Sequence, residues 1–95
     1  MIWHIVFSDS AVEDLLRLSP EIRKAIVAVI EKKLSFEPEK YGKYLRKKLK
    51  EYMKLKVMDF RVIYRVEKGL VTVFVVAVGP RRNDEVYLEA EKRLK

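Results

Sequence analysis

Basic residues of the types and spacing that suit a phosphate site occur at two places in the second half of the chain. Lys54, Lys56 and Arg61 lie in adjacent apolar segments, and Arg81 directly follows a later apolar run, with Tyr87 six residues beyond it. Ammonium and guanidinium groups bind phosphate oxygens through charge-assisted hydrogen bonds. If the segments that carry them pair as strands, these cations converge at one end of a sheet. Such a site suits a phosphodiester.

Most of the net charge is concentrated in one segment. The 95 residues carry a net charge of +7, and residues 43–56 alone contribute +6, with seven basic residues against Glu51. Aromatic and apolar side chains are interleaved with the cations, as in grooves that track a phosphate backbone and contact bases. The predicted backbone contacts are Lys43, Arg46, Lys47, Lys48 and Lys50. For Lys47 and Lys48 an equally good interpretation is a solvated loop.

The composition excludes several classes of protein. The length predicts a single domain over residues 1–95. The absence of cysteine excludes disulfides and thiol chemistry, and it makes a cytoplasmic location the default expectation. The longest apolar run, residues 70–78, is too short to cross a bilayer as a helix, and no secretory signal is recognisable. His4 is the only histidine, so we expect no metal site and no cofactor.

The first half of the chain has the pattern of one strand followed by two helices. Residues 2–7 read as a strand. Ser10, with Glu13 three residues later, predicts a capping box for a first helix. Ser19 and Pro20 open a second helix whose apolar residues recur at helical spacing as far as Phe36. We expect an antiparallel helix pair that covers one face of a sheet.

Three strands are predicted next, over residues 53–57, 60–66 and 70–78. Two-residue turns at 58–59 and 68–69 make both connections antiparallel hairpins. This register places Lys56 opposite Arg61 and, across the second hairpin, Arg61 opposite Val76. With an amphipathic C-terminal helix over 85–94, the elements predict an α+β fold: an N-terminal strand, the helix pair, a three-stranded antiparallel meander and the last helix.

The same register separates two faces of the sheet. The face that should receive the helices is apolar throughout: Met53, Leu55, Val57, Phe60, Val62, Tyr64, Val66, Val71, Val73, Val75 and Ala77. The opposite face carries Lys54, Lys56, Arg61 and Arg65. Like charges opposite one another destabilise a strand pair by roughly 0.2 to 1 kcal/mol. A bound polyanion explains such a cluster better than stability does.

These features together resemble the RelE branch of the RelE/ParE toxin superfamily. The resemblance rests on the Lys-x-Lys strand, the segment Asp-Phe-Arg-Val-Ile-Tyr at 59–64, and Arg81 followed by Glu-Val-Tyr at 85–87, and it runs nearly from end to end. It implies a RelE-like, microbial-RNase-like fold. It also implies the toxin of a type II toxin–antitoxin system, a ribosome-dependent endoribonuclease that cleaves mRNA in the decoding site and so inhibits translation.

The resemblance also implies roles for individual residues. Lys54, Lys56, Arg61, Arg81 and Tyr87 match the catalytic positions of that branch. Arg82 stands beside Arg81 as a further RNA contact, and Arg65 is a peripheral contact to RNA or antitoxin. Cleavage by attack of the 2′-hydroxyl needs a base, charge stabilisation and an acid, and no His or Glu is evident as the base. Adjacent cations can lower a lysine pKa enough for this role, so Lys56 is the first candidate and Lys54 the second.

The implied partners are the ribosome, mRNA and an acidic RelB-like antitoxin, in a heterodimer or heterotetramer without membrane attachment. An antitoxin could cover or displace the C-terminal helix. Two alternatives stay open. One is a ParE-like inhibitor of DNA gyrase without nuclease activity, a branch that generally lacks this set of cations. The other is an RNA-binding relative without toxicity.

Overall fold

A computed structural model describes residues 2–80 and 84–94. The strands are β1 (His4–Phe7), β2 (Lys43–Tyr44), β3 (Met53–Val57), β4 (Phe60–Glu67) and β5 (Thr72–Pro80). The helices are α1 (Asp9–Leu16), α2 (Pro20–Val29), α3 (Pro38–Tyr41) and α4 (Glu85–Arg93). The predicted α+β order is confirmed, and α3 and β2 are additions to it. No helix in the described ranges is long and apolar enough to span a membrane.

All five strands form one sheet in the order β1-β5-β4-β3-β2. The chain from β3 to β5 is the predicted antiparallel meander, while β1 pairs in parallel with β5. The connection between these two parallel strands contains the helix pair, α3 and strands β2 to β4, so it is long enough for the crossover that a parallel pair requires. The short strand β2 pairs with β3 at the far edge of the sheet.

The helix pair begins and ends differently from the prediction. Ser8, not Ser10, caps α1, and its side chain accepts a hydrogen bond from the Ala11 N–H at 3.1 Å. Ser19 caps α2 as expected, with Pro20 in the first turn. The α-helical hydrogen bonding ends at Val29, and the chain continues as a π-helical stretch over Ile30–Leu34. Single π-type turns of this kind are not visible in apolar periodicity.

The main core lies between the helix pair and one face of the sheet. The buried helical residues Ala11, Leu15, Ile26, Ile30 and Leu34 pack against the strands. The strand residues of this cluster are Met53, Leu55, Val57, Val62, Tyr64, Val73, Val75 and Val78. The predicted face is therefore confirmed with two exceptions: Val71 lies in the turn before β5, outside this cluster, and Ala77 points to the other side, so that Val78 takes its place.

Both exceptions arise because the predicted turn and register between β4 and β5 are wrong. The turn is a 3₁₀ segment, Lys68–Leu70, followed by Val71 in the left-handed conformation (φ 47°), so Glu67 pairs with Thr72. A bulge at Ile63/Tyr64 adds a further shift. Arg61 consequently pairs with Gly79 instead of Val76. A bulge places two residues opposite one, which reverses the facing of every residue beyond it.

The second face of the sheet is covered by α4. Val86 and Ala90 pack with Ile63, Ala77 and Leu49 in a smaller buried cluster. The predicted C-terminal helix is confirmed, although Leu88, one of its expected less polar positions, is 57% exposed.

A partly buried ion pair ties α4 to α1 and β5. The Arg93 guanidinium donates to the Asp14 carboxylate at 2.8 Å and to the Val76 carbonyl at 2.7 Å. The same carboxylate accepts from the Val78 N–H at 3.0 Å. The hydrogen bond to Asp14 raises the pKa of Arg93. This network fixes the helix that carries Tyr87 against the sheet.

Candidate functional site

The hairpin between β3 and β4 sets the centre of the site. Val57 pairs with Phe60, so Lys56 lies directly opposite Arg61 and Lys54 opposite Ile63, which confirms the predicted register. The two-residue turn places Met58 in the left-handed region at φ 53°. Lys54 and Arg61 are half-buried, and Lys56 is exposed. Two adjacent strands, β3 and β4, therefore hold three cations together on the α4 side of the sheet.

Helix α4 brings Tyr87 over this cluster. The Lys54 Nζ lies 5.8 Å from the centroid of the Tyr87 ring. Tyr87 also packs, partly buried, against the smaller core cluster. Its position therefore suits both a packing role and contact with a ligand in the groove. An open groove of about 540 Å³ runs between the helix and the strands. Its lining is Leu45, Arg46, Leu49, Lys54, Arg61, Asp84, Tyr87 and Glu91.

A smaller groove of about 230 Å³ adjoins the first. It is lined by Tyr41, Lys43, Lys54, Lys56 and Arg61. Lys54 and Arg61 line both grooves, so they stand at the junction. Lys43 pairs across the sheet edge with Lys54, which adds a second pair of like charges next to Lys56 and Arg61.

Two predicted site residues, Arg81 and Arg82, lie outside the described residues. The strand before them ends at Pro80, which pairs with Phe60 at the hairpin end of β4. Arg81 is the next residue in the sequence.

The remaining predicted contacts divide into two groups. Lys47, Lys48 and Lys50 are exposed around the 3₁₀ turn Lys47–Leu49, and the two groove linings named above do not include them. Arg65 forms an ion pair with Glu67 at 2.8 Å and lies 5.0 Å from the Phe74 ring centroid. It also lies away from both linings, in keeping with the peripheral position expected for it.

Sequence reasoning missed two carboxylates in the larger groove. Glu91 and Asp84 both line it beside Lys54 and Arg61, although no acid was expected near the cations. The signal for Glu91 was its spacing, because it follows Tyr87 by four residues and so shares its face of the helix. A carboxylate in this groove can accept a proton, or a hydrogen bond from the N–H of a nucleotide base. It also repels phosphate.

Metal ligation finds no support among residues 2–80 and 84–94, where no group of three or more His, Asp or Glu side chains is positioned to hold an ion. His4 is exposed on β1 and pairs with Thr72, with β5 and β4 between it and the Lys54 strand.

The fold and the site together define a small α+β protein with a cationic, tyrosine-flanked groove on the helix-covered second face of its sheet. A family profile described as the ParE toxin of the type II toxin–antitoxin system parDE matches residues 5–85, and the chain belongs to this family. Within the RelE/ParE superfamily it is a RelE-like member, which confirms the resemblance seen in the sequence.

The relatives named RelE match over nearly the whole chain. The mRNA interferase toxin RelE of Escherichia coli K12 is 32% identical, with 99% of each chain covered. The toxin–antitoxin complex RelBE2 of Mycobacterium tuberculosis contains a chain of TM-score 0.82 at 30% identity, covering 87% of this chain and 95% of that one. An E. coli RelE mutant bound to a RelB antitoxin peptide matches at TM-score 0.65 and 30% identity, with both chains fully covered.

Proposed function

We propose that the chain is the toxin of a type II toxin–antitoxin system and an endoribonuclease that cleaves mRNA in the decoding site of the ribosome. The observation that carries the proposal is the convergence of Lys54 and Arg61 with Tyr87 in one open groove, with Lys56 directly opposite Arg61 in the adjoining groove. The relatives at 30% identity or more that are named mRNA interferases support the activity. The site of action is then the cytoplasm, where mRNA is translated.

The proposed reaction is an attack of the ribose 2′-oxygen on the adjacent phosphorus. The P–O2′ bond forms and the P–O5′ bond breaks, leaving a 2′,3′-cyclic phosphate and a 5′-hydroxyl. Lys56 accepts the 2′-hydroxyl proton, with Lys54 as the second candidate, and a protonated side chain of the cluster supplies a proton to the leaving oxygen. Arg61 and Arg81 bind the phosphate and stabilise the charge that develops on it. Side chains handle every proton and charge, so the proposal requires no metal.

Tyr87 and the surrounding cations position the substrate. Its ring flanks the groove and offers a face on which a base can stack, and stacking on an aromatic side chain is tolerant of sequence. Without a His or Glu assigned as base, the acid–base apparatus is weak. Alignment of the mRNA by the ribosome compensates for this, because correct positioning alone can lower the barrier greatly.

A second candidate is a gyrase inhibitor without nuclease activity, favoured by the ParE description of the matching family. A third is an RNA-binding relative without toxicity. The cationic groove favours the nuclease over the gyrase inhibitor. Opposed cations lower stability by about 0.2 to 1 kcal/mol for each pair, and an inhibitor that cleaves nothing has no need of them.

The proposal is tested by single-turnover cleavage of mRNA on programmed ribosomes. We expect Arg81→Ala and Lys56→Ala to lower the cleavage rate by roughly a hundredfold or more, as when a preorganised donor to the transition state is removed. Lys32→Ala, on an exposed position of the helix pair's π-helical extension, is the matched control and should cleave at the parental rate.

Thermal unfolding controls for the fold of both variants, and Lys56→Ala should stay folded because removing one of two opposed cations is neutral or slightly stabilising. A chelator added to the parental reaction tests whether a metal is required, and we expect no effect. If folded Arg81→Ala and Lys56→Ala both cleave at the parental rate, the nuclease proposal fails and gyrase inhibition becomes the next assay.

A further inference from the structure

The smaller groove carries an exposed tyrosine that the proposed reaction does not use. Tyr41 is the last residue of α3, and 44% of its surface is exposed. It lines the groove with Lys43, Lys54, Lys56 and Arg61. Tyr41 and Tyr87 therefore line separate grooves that adjoin at Lys54 and Arg61.

Two further lysines approach this ring from different segments. The Lys33 Nζ lies 5.4 Å from the ring centroid, and the Lys40 Nζ lies 5.5 Å from it. Lys40 also forms an exposed ion pair with Glu37 at 3.4 Å. Tyr41 is thus an exposed aromatic surface flanked by cationic side chains, the combination by which proteins hold single-stranded nucleic acid.

The backbone holds this surface beside the reaction site. Lys43, two residues after Tyr41, pairs with Lys54 in the contact between β2 and β3. Tyr44 donates a hydrogen bond to Glu39 at 2.6 Å, and together with the nearby Lys68 this lowers the pKa of the Glu39 carboxyl. This hydrogen bond joins α3 to β2.

We propose that Tyr41 forms a second nucleotide subsite, in which its ring stacks on a base of single-stranded RNA and Lys33, Lys40 and Lys43 contact the flanking phosphates. The subsite rests on the proposed function, since it holds the same strand on the other side of the scissile phosphate. The strand passes through both grooves and crosses Lys54 and Arg61 between them.

A base can displace the lysines from the ring. A cation over an exposed aromatic ring is worth a factor of roughly two to five in an equilibrium constant. Removing a stacking aromatic side chain lowers affinity for nucleic acid by roughly 5- to 150-fold. When a base takes the ring face, the displaced ammonium groups are free to bind phosphate, so little of their contribution is lost.

RNA fits this surface better than an acidic protein segment does. Both ligands would satisfy the lysines, but only a ligand with planar bases also uses the exposed ring of Tyr41. The dependence of binding on the base opposite Tyr41 therefore separates the two ligands.

The test measures binding of a short 2′-O-methyl RNA, which cannot be cleaved, by fluorescence anisotropy at low ionic strength. We expect Tyr41→Ala to weaken binding by roughly 5- to 150-fold and Tyr41→Phe to stay within about twofold. Phe36→Ala is the matched control, because Phe36 is 58% exposed in a different groove, and it should bind like the parent. Thermal unfolding verifies that each variant is folded.

A second arm uses the same RNA with one abasic nucleotide placed at each position in turn. At one position, the abasic nucleotide should weaken RNA binding to the parent but should not weaken binding to Tyr41→Ala any further, because base and ring form a single contact. Four results would each overturn the subsite. The first two are unchanged RNA binding by folded Tyr41→Ala and the absence of any abasic position that behaves in this way. The other two are an equal loss of affinity of Tyr41→Ala for polyglutamate and a parent that binds no RNA. None of these results alters the cleavage assay of Lys56→Ala, so failure of the subsite and failure of the nuclease proposal are distinguishable.

Discussion

At the scale of single residues, the site combines opposed cations with two carboxylates. Lys54 and Arg61 share the larger groove with Asp84 and Glu91. A carboxylate there weakens phosphate binding, yet it can also act as a proton acceptor. The proposed mechanism assigns that role to Lys56. The role of Glu91 therefore decides whether lysine is the base.

We expect Glu91→Gln to tighten binding of uncleavable RNA about two- to fivefold, the size of an exposed charge interaction, and to leave the single-turnover cleavage rate unchanged. The control is Glu31→Gln, which changes the net charge equally in a different groove and should alter neither quantity. A hundredfold fall in the cleavage rate with RNA binding retained would transfer the role of base from Lys56 to Glu91.

At the scale of secondary-structure elements, the close packing of β2 on the sheet depends on Gly42. A Cβ at this position would lie 1.9 Å from the Tyr64 hydroxyl oxygen and 2.9 Å from the Lys54 carbonyl oxygen. The Tyr64 hydroxyl is buried and donates to the Pro38 carbonyl at 2.6 Å, and burial raises its pKa, so it stays protonated at neutral pH. Glycine allows the segment with Tyr41 and Lys43 to lie against β3.

Gly42→Ala should lower the free energy of unfolding by about 1 to 3 kcal/mol, the usual cost of overpacking, and should weaken RNA binding at the smaller groove. Urea unfolding measures the first effect and anisotropy the second. Gly69→Ala is the matched control, because its Cβ would meet only the Glu67 carboxylate at 3.7 Å. If Gly42→Ala is as stable as Gly69→Ala, the close contact with Tyr64 does not restrict this position.

The elements also show what the sequence could and could not predict. The register that joins Lys56 to Arg61 follows from a two-residue turn and strict alternation, so it was predictable. The pairing of Arg61 with Gly79 was not, because it depends on a bulge and on Val71 in a conformation that β-branched residues rarely adopt. Glu91 and Tyr41 were missed because their places depend on tertiary packing: α4 packs over the strands, and α3 packs beside the π-helical stretch.

At the scale of the whole molecule, opposite charge is the main requirement for a partner. The chain has a net charge of +7, and the two grooves are lined by the basic residues Lys43, Arg46, Lys54, Lys56 and Arg61. Solved structures of RelE chains at 30% identity hold RelB antitoxins. We propose a partner of the same kind: an acidic segment, disordered when free, that folds on binding and covers or displaces α4, in a heterodimer or heterotetramer.

We expect association with this antitoxin to slow steeply as salt is added, while the dissociation rate changes little, because long-range attraction steers the encounter and apolar contacts hold the complex. Stopped-flow association at several salt concentrations measures the first effect, and dissociation by chase measures the second. Glu31→Gln, remote from both grooves, serves as the control and should keep the salt dependence. Tight neutralisation by a partner without an acidic segment, or an association rate independent of salt, would contradict this account of recognition.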